Sequence, residues 1–171
     1  MTQDPKEIDD SYKTPDPWGY QNNDWDKVRK TTILMYAFHY GPYERALDIG
    51  AGEGWITQDL PAKEIFGYEV SDTAASRFPN NVKRVKELEG KYDLVIATGV
   101  MYEHYDCQKF IDMILKHASG IIILCNIKDC ENKDVKRIPG QIHEGEFPYR
   151  EYIQKLRIYD FNAQYRQKSE L

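Results

Sequence analysis

Arg45-Ala46-Leu47-Asp48-Ile49-Gly50-Ala51-Gly52-Glu53-Gly54-Trp55-Ile56-Thr57 sets three glycines directly behind a mostly apolar run. Ala46 to Ile49 can form a buried strand, and it runs straight into three glycines placed two residues apart. Trp55, Ile56 and Leu60 then share one face of a helix expected from about Glu53 to Leu60, where Pro61 stops it. Strand, glycine turn and helix in that order form the opening unit of a nucleotide-binding α/β sheet. Glycine is needed there because the chain must turn tightly and let a ligand approach bare backbone.

The chain downstream repeats the alternation. Glu64 to Val70 reads as a strand closing on Glu69, and Ser71 caps a short helix over Asp72 to Phe78. Val82 to Val85 is a brief strand, and Tyr92 to Ala97 is a nearly all-apolar one, suited to burial on both faces. A helix over Phe110 to His117 precedes a fifth strand, Gly120 to Cys125. Lys128 to Gly145 is charged and reads as irregular, Pro148 to Leu156 as a helix with proline in its first turn, and Ile158 to Gln164 as a last strand. The expectation is a doubly wound, mostly parallel α/β sheet of six strands, with a seventh missing or reduced to a stub over Tyr165 to Ser169. Such a sheet would leave an edge bare, to be covered by the front segment or by a second copy, so the chain is expected to be a monomer or a homodimer.

Upstream, residues 1–14 read as a flexible acidic tail, and 15–171 as one domain in which a front segment (15–44) precedes the core (45–171). Prolines and glycine in Thr14-Pro15-Asp16-Pro17-Trp18-Gly19-Tyr20 forbid regular structure, and Asn23 or Asp24 caps a helix over Trp25 to Tyr40 that ends at Gly41-Pro42.

Composition narrows the class. With 171 residues, 41% hydrophobic and 30% charged, the chain is long enough for one buried core. A net charge of −5 gives no broad footprint for nucleic acid, and Gly120 to Cys125, the longest apolar run, is too short to span a bilayer. The acidic, polar N-terminus does not read as a signal peptide. Three cysteines without a C-x-x-C pair favour reduced thiols in a cytoplasm and no metal site. Several aromatics fall outside the expected core elements (Tyr12, Trp18, Tyr20, Trp25, Tyr102, Tyr105 and Tyr149) and are candidates to line a substrate cleft.

A nicotinamide or flavin fold would carry G-x-G-x-x-G, but Trp55 occupies the position of its third glycine. Asp48 before the turn and Glu53 inside it suit a cationic ligand better than a pyrophosphate. Asp48 to Gly54 resembles the first motif of the class I S-adenosylmethionine (SAM) dependent methyltransferases. The resemblance continues at Glu69, about 20 residues beyond Gly50, the spacing of an acid that holds ribose hydroxyls. It implies that Gly50, Ala51, Gly52, Glu53 and Gly54 pass beneath the methionine part of SAM and that Asp48 anchors its amino group. Glu69, with Val70 beside it, would hold the ribose. The adenine contact falls within Lys86-Glu87-Leu88-Glu89-Gly90, with Glu87, Glu89 and the backbone near Leu88 as alternatives.

The loop after the fourth strand, from Thr98 through Gly99-Val100-Met101-Tyr102-Glu103-His104-Tyr105, should face the transferred methyl group. It is not the (D/N/S)PP(Y/F/W) box of enzymes that methylate base amino groups, and it resembles the corresponding loop of small-molecule methyltransferases. His104 is the candidate general base, with His39 and His143 as weaker ones. Tyr102 and Tyr105 are placed to orient an acceptor or shield a sulfonium. Asp16-Pro17-Trp18, Trp25 and the Arg29-Lys30 pair resemble the front segment of the nodulation protein S type, rhizobial N-methyltransferases acting on chitooligosaccharide amines. That likeness runs from Asp16 to Tyr105. It implies Trp18 and Trp25 as lid residues and Arg29 as the partner of the SAM carboxylate. A plain amphipathic helix packed on the sheet is the alternative for this segment. The expected activity is methyl transfer to an amine or hydroxyl of a small molecule, sugars included. The alternatives are SAM cleavage on the same fold and a non-catalytic SAM-binding module.

Overall fold

The computed structural model describes residues 4–162. A seven-stranded sheet runs through it in the order β3-β2-β1-β4-β5-β7-β6. Its strands are β1 (Tyr43–Ile49), β2 (Ala62–Tyr68), β3 (Val82–Val85), β4 (Tyr92–Thr98), β5 (Ala118–Ile127), β6 (Gln141–Tyr149) and β7 (Tyr152–Asp160). The first five are parallel, β7 runs antiparallel to β5, and β6 runs antiparallel to β7. The helices are α1 (Pro5–Ser11), α2 (Asp24–Tyr40), α3 (Asp72–Ala75) and α4 (Gln108–His117).

Alternation along the strands divides the core into two layers. Leu47, Ile49, Val95, Ala97 and Ile122 pack on the α4 side with Ile111 and Ile114. Ala46, Leu94, Ile96 and Ile123 pack on the α2 side with Ile33 and Ala37. Asp48 shares the α2 side with Ala46, two residues before it, which places its carboxylate beneath the front helix.

Three expectations are corrected. The seventh strand is present: residues 152–156, expected to finish a helix begun at Pro148, instead open β7, and the supposedly irregular segment ends in β6. A proline is tolerated in β6 because that strand is the sheet edge, where no ladder donor is required of it. The two strands meet at Arg150 and Glu151, with Tyr149 opposite Tyr152, and Arg150 adopts a left-handed backbone at φ 53°. The bare edge is therefore filled. Glu144 and Glu146 on β6 give that edge the charges that discourage further pairing. The last two residues of the strand expected to reach Gln164, and the stub over Tyr165 to Ser169, lie outside the described residues.

The helix expected over Glu53 to Leu60 is replaced by turns and a short 3-10 helix, Thr57–Asp59. Three left-handed glycines in succession extend the turn and leave no room for a regular helix start. Where a flexible tail is expected, Asp4 caps α1 and its carboxylate accepts from Lys6 N. Among the described residues, no helix is long and apolar enough to cross a membrane, and no group of three or more His, Cys, Asp or Glu could hold a metal ion.

Candidate functional site

A cavity of about 830 Å³ opens at the carboxyl ends of β1, β2, β4 and β5, where ligands of open α/β sheets bind. The glycine turn forms its floor. A Cβ on Gly50, at φ 76°, would come within 2.4 Å of Val100 Cγ1, and one on Gly52 within 2.9 Å of the Tyr12 hydroxyl. Gly54 does not line the cavity. It turns the chain against Pro79, whose Cδ would lie 2.9 Å from an added Cβ.

Two buried acids and one buried arginine stand among the charged residues that line the cavity. Asp48 is buried at the end of β1, where its Oδ2 accepts from Thr57 Oγ1 at 2.7 Å while Oδ1 has no partner among the described residues. Burial lifts its pKa to about 7, against the opposing pull of the Thr57 bond. Glu69 accepts from Gly52 N at 2.8 Å and from Ser71 N at 2.9 Å, so it ties the glycine turn to the end of β2. Burial raises its pKa despite these bonds. Arg29 reaches in from α2 at 5% exposure, flanked by the rings of Tyr20 and Tyr149 at 4.9 and 5.7 Å, and its Nε is buried without a partner among the described residues.

The front segment roofs the cavity. Asp9 of α1 accepts from Ser71 Oγ, Thr73 N and Thr73 Oγ1, which sets Ile8, Ser11 and Tyr12 along one wall. Asp16 builds the Asp-Pro-Trp turn by accepting from Tyr20 N and Gln21 N, and its own N–H donates to Glu53 Oε2 at 2.8 Å. Glu53 also pairs with Arg77, so it lines the cavity while anchoring the roof to the floor. Trp18, Tyr20 and Trp55 lie nearly parallel in sequence, with centroids 5.9 and 6.4 Å apart.

The opposite wall carries Tyr102 and Tyr105 from the loop after β4 and Tyr149, Arg150, Tyr152 and Gln154 from the β6–β7 hairpin. Burial pushes Tyr102 up to about 12, so its phenol is a neutral donor near neutral pH. Gln154 is buried and its Oε1 accepts from the Cys125 thiol at 3.3 Å.

At the level of sequence, no family model and no curated protein matches the chain. Solved structures do match. The N-methyltransferase NodS from Bradyrhizobium japonicum, in complex with S-adenosyl-L-homocysteine, superposes with a TM-score of 0.77 at 15% identity, covering 91% of this chain and 96% of that one. Magnesium protoporphyrin IX methyltransferase (ChlM) from Synechocystis, with bound SAM, gives 0.70 at 15% identity over 94% and 98%. DhpI, in complex with S-adenosylhomocysteine, gives 0.67 at 9% identity over 91% and 94%. The fold is the Rossmann-like fold of these methyltransferases.

On that methyltransferase fold, most residues singled out from the sequence converge on one cavity. Asp48, Gly50, Ala51, Gly52, Glu53 and Glu69 line it with Val70 and Thr98, and so do Trp18, Arg29, Tyr102 and Tyr105. Glu87 and Leu88 instead line a neighbouring depression, which shares Tyr68, Asp106 and Lys109 with the main cavity. His104 is exposed and lies outside the lining, stacked beside Tyr102 and Tyr105. Trp25 is exposed at the start of α2. His143 on β6 meets Tyr36 of α2 at 2.8 Å and lies outside the cavity lining, and His39 is exposed. Of the aromatics noted outside the expected core, Tyr12, Tyr20 and Tyr149 also line the cavity. Asp26, Arg150 and Gln154 are not distinguished by any motif. The only sequence trace of Asp26 is its i, i+3 spacing to Arg29 on a helix.

Proposed function

We propose that this chain is a SAM-dependent methyltransferase acting on an amine or hydroxyl of a small molecule, with sugars among the candidate acceptors. One observation carries the reading: a carboxylate oxygen (Asp48 Oδ1) and a guanidinium nitrogen (Arg29 Nε) are both buried without partners among the described residues, on side chains that line the same cavity. Buried polar atoms are almost always satisfied, so an open carboxylate oxygen and an open guanidinium nitrogen on residues lining one cavity fit a ligand that brings an ammonium and a carboxylate. The amino-acid end of SAM does so, with Asp48 toward its ammonium and Arg29 toward its carboxylate. Glu69, at the end of β2, fits the ribose hydroxyls, and Gly50 and Gly52 leave space that any side chain would fill. The shared fold with methyltransferases that bind SAM or its product supports the same cofactor.

The bound cofactor would supply an electrophilic methyl on a sulfonium. The chain's own contribution is position and dryness. Tyr12 and Trp18 line the roof, while Tyr102 and Tyr105 bound the space beside the loop after β4. Holding an acceptor in line in this way is worth about 7–11 kcal/mol of barrier. No histidine lines the cavity among the described residues, and Tyr102 stays protonated near neutral pH, which supports approximation over a histidine or tyrosinate base. The cavity is of a size that holds the cofactor and a small acceptor, which supports a small molecule over a folded partner.

Calorimetric titration with SAM and S-adenosylhomocysteine tests the cofactor, and product analysis with labelled SAM and a panel of small amines and alcohols tests the reaction. Heat with both ligands and formation of S-adenosylhomocysteine are expected. Methylthioadenosine as product would indicate cleavage instead, and absence of any binding would sink the reading.

A further inference from the structure

Asp26 is fully buried in the first turn of α2, yet it belongs to none of the motifs that define the site. Its Oδ1 accepts from the Tyr149 hydroxyl at 2.7 Å and pairs with Arg29 Nη2 at 3.2 Å, while Oδ2 accepts from Arg150 Nη2 at 2.8 Å. The partners come from two distant parts of the chain: Arg29 lies one turn along α2, and Tyr149 and Arg150 form the tip of the β6–β7 hairpin. Arg150 Nη2 also donates to Trp18 O, which draws the front turn into the same knot. Two guanidinium groups share one carboxylate, so the cluster keeps a net positive charge, and Arg29, Tyr149 and Arg150 all line the cavity. A buried carboxylate with three good partners fixes their geometry, because each would be costly to leave unpaired.

We infer that Asp26 is a positioning residue: it aims Arg29 at the carboxylate of the bound amino-acid group and pins the β6–β7 hairpin as the facing wall. The inference rests on the SAM reading above. Arg29 has its ring contacts with Tyr20 and Tyr149 for lateral support, and among the described residues Asp26 is the carboxylate paired with its guanidinium. An amide at this position would present a single acceptor oxygen to two guanidinium groups and a hydroxyl. Arg29 and Arg150 would then repel each other without the intervening negative charge.

The test compares two ligands on the full chain, S-adenosylhomocysteine and methylthioadenosine, which shares the nucleoside but lacks the amino-acid end. Asp26→Asn should weaken S-adenosylhomocysteine binding by about tenfold or more, as for a lost charge-assisted contact, and change methylthioadenosine affinity less than about twofold. Tyr149→Phe removes one partner and keeps the fold safer; it should show the same selectivity in milder form, which settles the matter if Asp26→Asn does not fold. Equal losses on both ligands would reduce Asp26 to a structural role and overturn the inference, and so would unchanged S-adenosylhomocysteine binding. A wild-type chain that binds neither ligand overturns the SAM reading itself, and the inference with it.

Discussion

Thr57 Oγ1 donates to Asp48 Oδ2 at 2.7 Å, while the other Asp48 oxygen is buried with no partner among the described residues. With its pKa raised to about 7, Asp48 carries a proton in much of the ligand-free protein at slightly acidic pH. A ligand ammonium beside it would favour the ionised form and expel that proton. Near pH 6, uptake of S-adenosylhomocysteine should therefore release close to one proton. Calorimetry in buffers of different ionisation enthalpy reads this directly, and Asp48→Asn should abolish the release. The same shift has a stability consequence. The folded chain holds the proton more tightly than the unfolded one, so the stabilisation is full below the unfolded value of about 4 and is lost as pH climbs toward about 7. The pH profile of urea unfolding should flatten over that window in Asp48→Asn; an unchanged profile would refute the assignment.

Gly50 makes a second, independent prediction about the floor of the cavity. Its left-handed backbone at φ 76° and the 2.4 Å approach of Val100 Cγ1 to an added Cβ both oppose a side chain. Gly50→Ala should cost roughly 1–3 kcal/mol in strain and displace Val100, with loss of ligand affinity beyond what the stability change explains. Gly52→Ala shares the left-handed penalty at φ 56° but meets the far end of the Tyr12 side chain at 2.9 Å, so it should be better tolerated in folding than Gly50→Ala while still lifting the roof. Denaturant titrations of the two variants check the ranking, and equal stabilities would contradict it.

The parts of this molecule that were readable in the sequence are those fixed by local chemistry. The glycine turn, the acid at the end of β2 and the capped front helix each depend on residues close together in the chain. Aromatics stranded outside core elements also pointed to the cavity, since Tyr12, Tyr20 and Tyr149 line it. The β6–β7 hairpin was not readable, because Pro148 resembles the first turn of a helix and Glu144 and Glu146 hide an alternation of His143, Gly145, Phe147 and Tyr149. That alternation, one partly or fully buried residue in every two, was the available signal. Beyond the i, i+3 pair with Arg29, the Asp26 cluster was not readable: its hydrogen bonds join residues 123 and 124 positions apart.

His104 offers a test of how much base catalysis the site uses. It is exposed, and the cavity is bounded beside it by Tyr102 and Tyr105. His104→Ala should retain ligand binding and turnover within about twofold, far short of the roughly 10²–10⁴-fold expected for removal of a general base. Tyr105→Ala, which opens the cavity wall, should lower turnover more than His104→Ala does. A drop of a hundredfold or more in His104→Ala with binding intact would restore the histidine as the base.

Asp9 bears on how the roof is held. Its carboxylate accepts from Ser71 Oγ at 2.6 Å and from Thr73 N and Thr73 Oγ1 at 2.9 Å, while Ser71 Oγ also accepts from Ala74 N to cap α3. These bonds, led by that from Ser71, hold the Asp9 pKa below its ordinary value. The sign follows from linkage: the latch is complete above the unfolded carboxylate pKa and loosens as pH falls through the lower, folded one. Asp9→Ala removes it at every pH while leaving Ser71 able to cap α3. In that variant α1 should be cut faster by a protease acting on the N-terminal segment, and S-adenosylhomocysteine should dissociate several times faster by stopped flow. The wild type should approach the variant's cleavage rate only at acid pH, because there its own latch is protonated. Identical cleavage of the two proteins at neutral pH would mean that Tyr12 and Asp16 alone hold the roof, since both reach the glycine turn without help from Asp9.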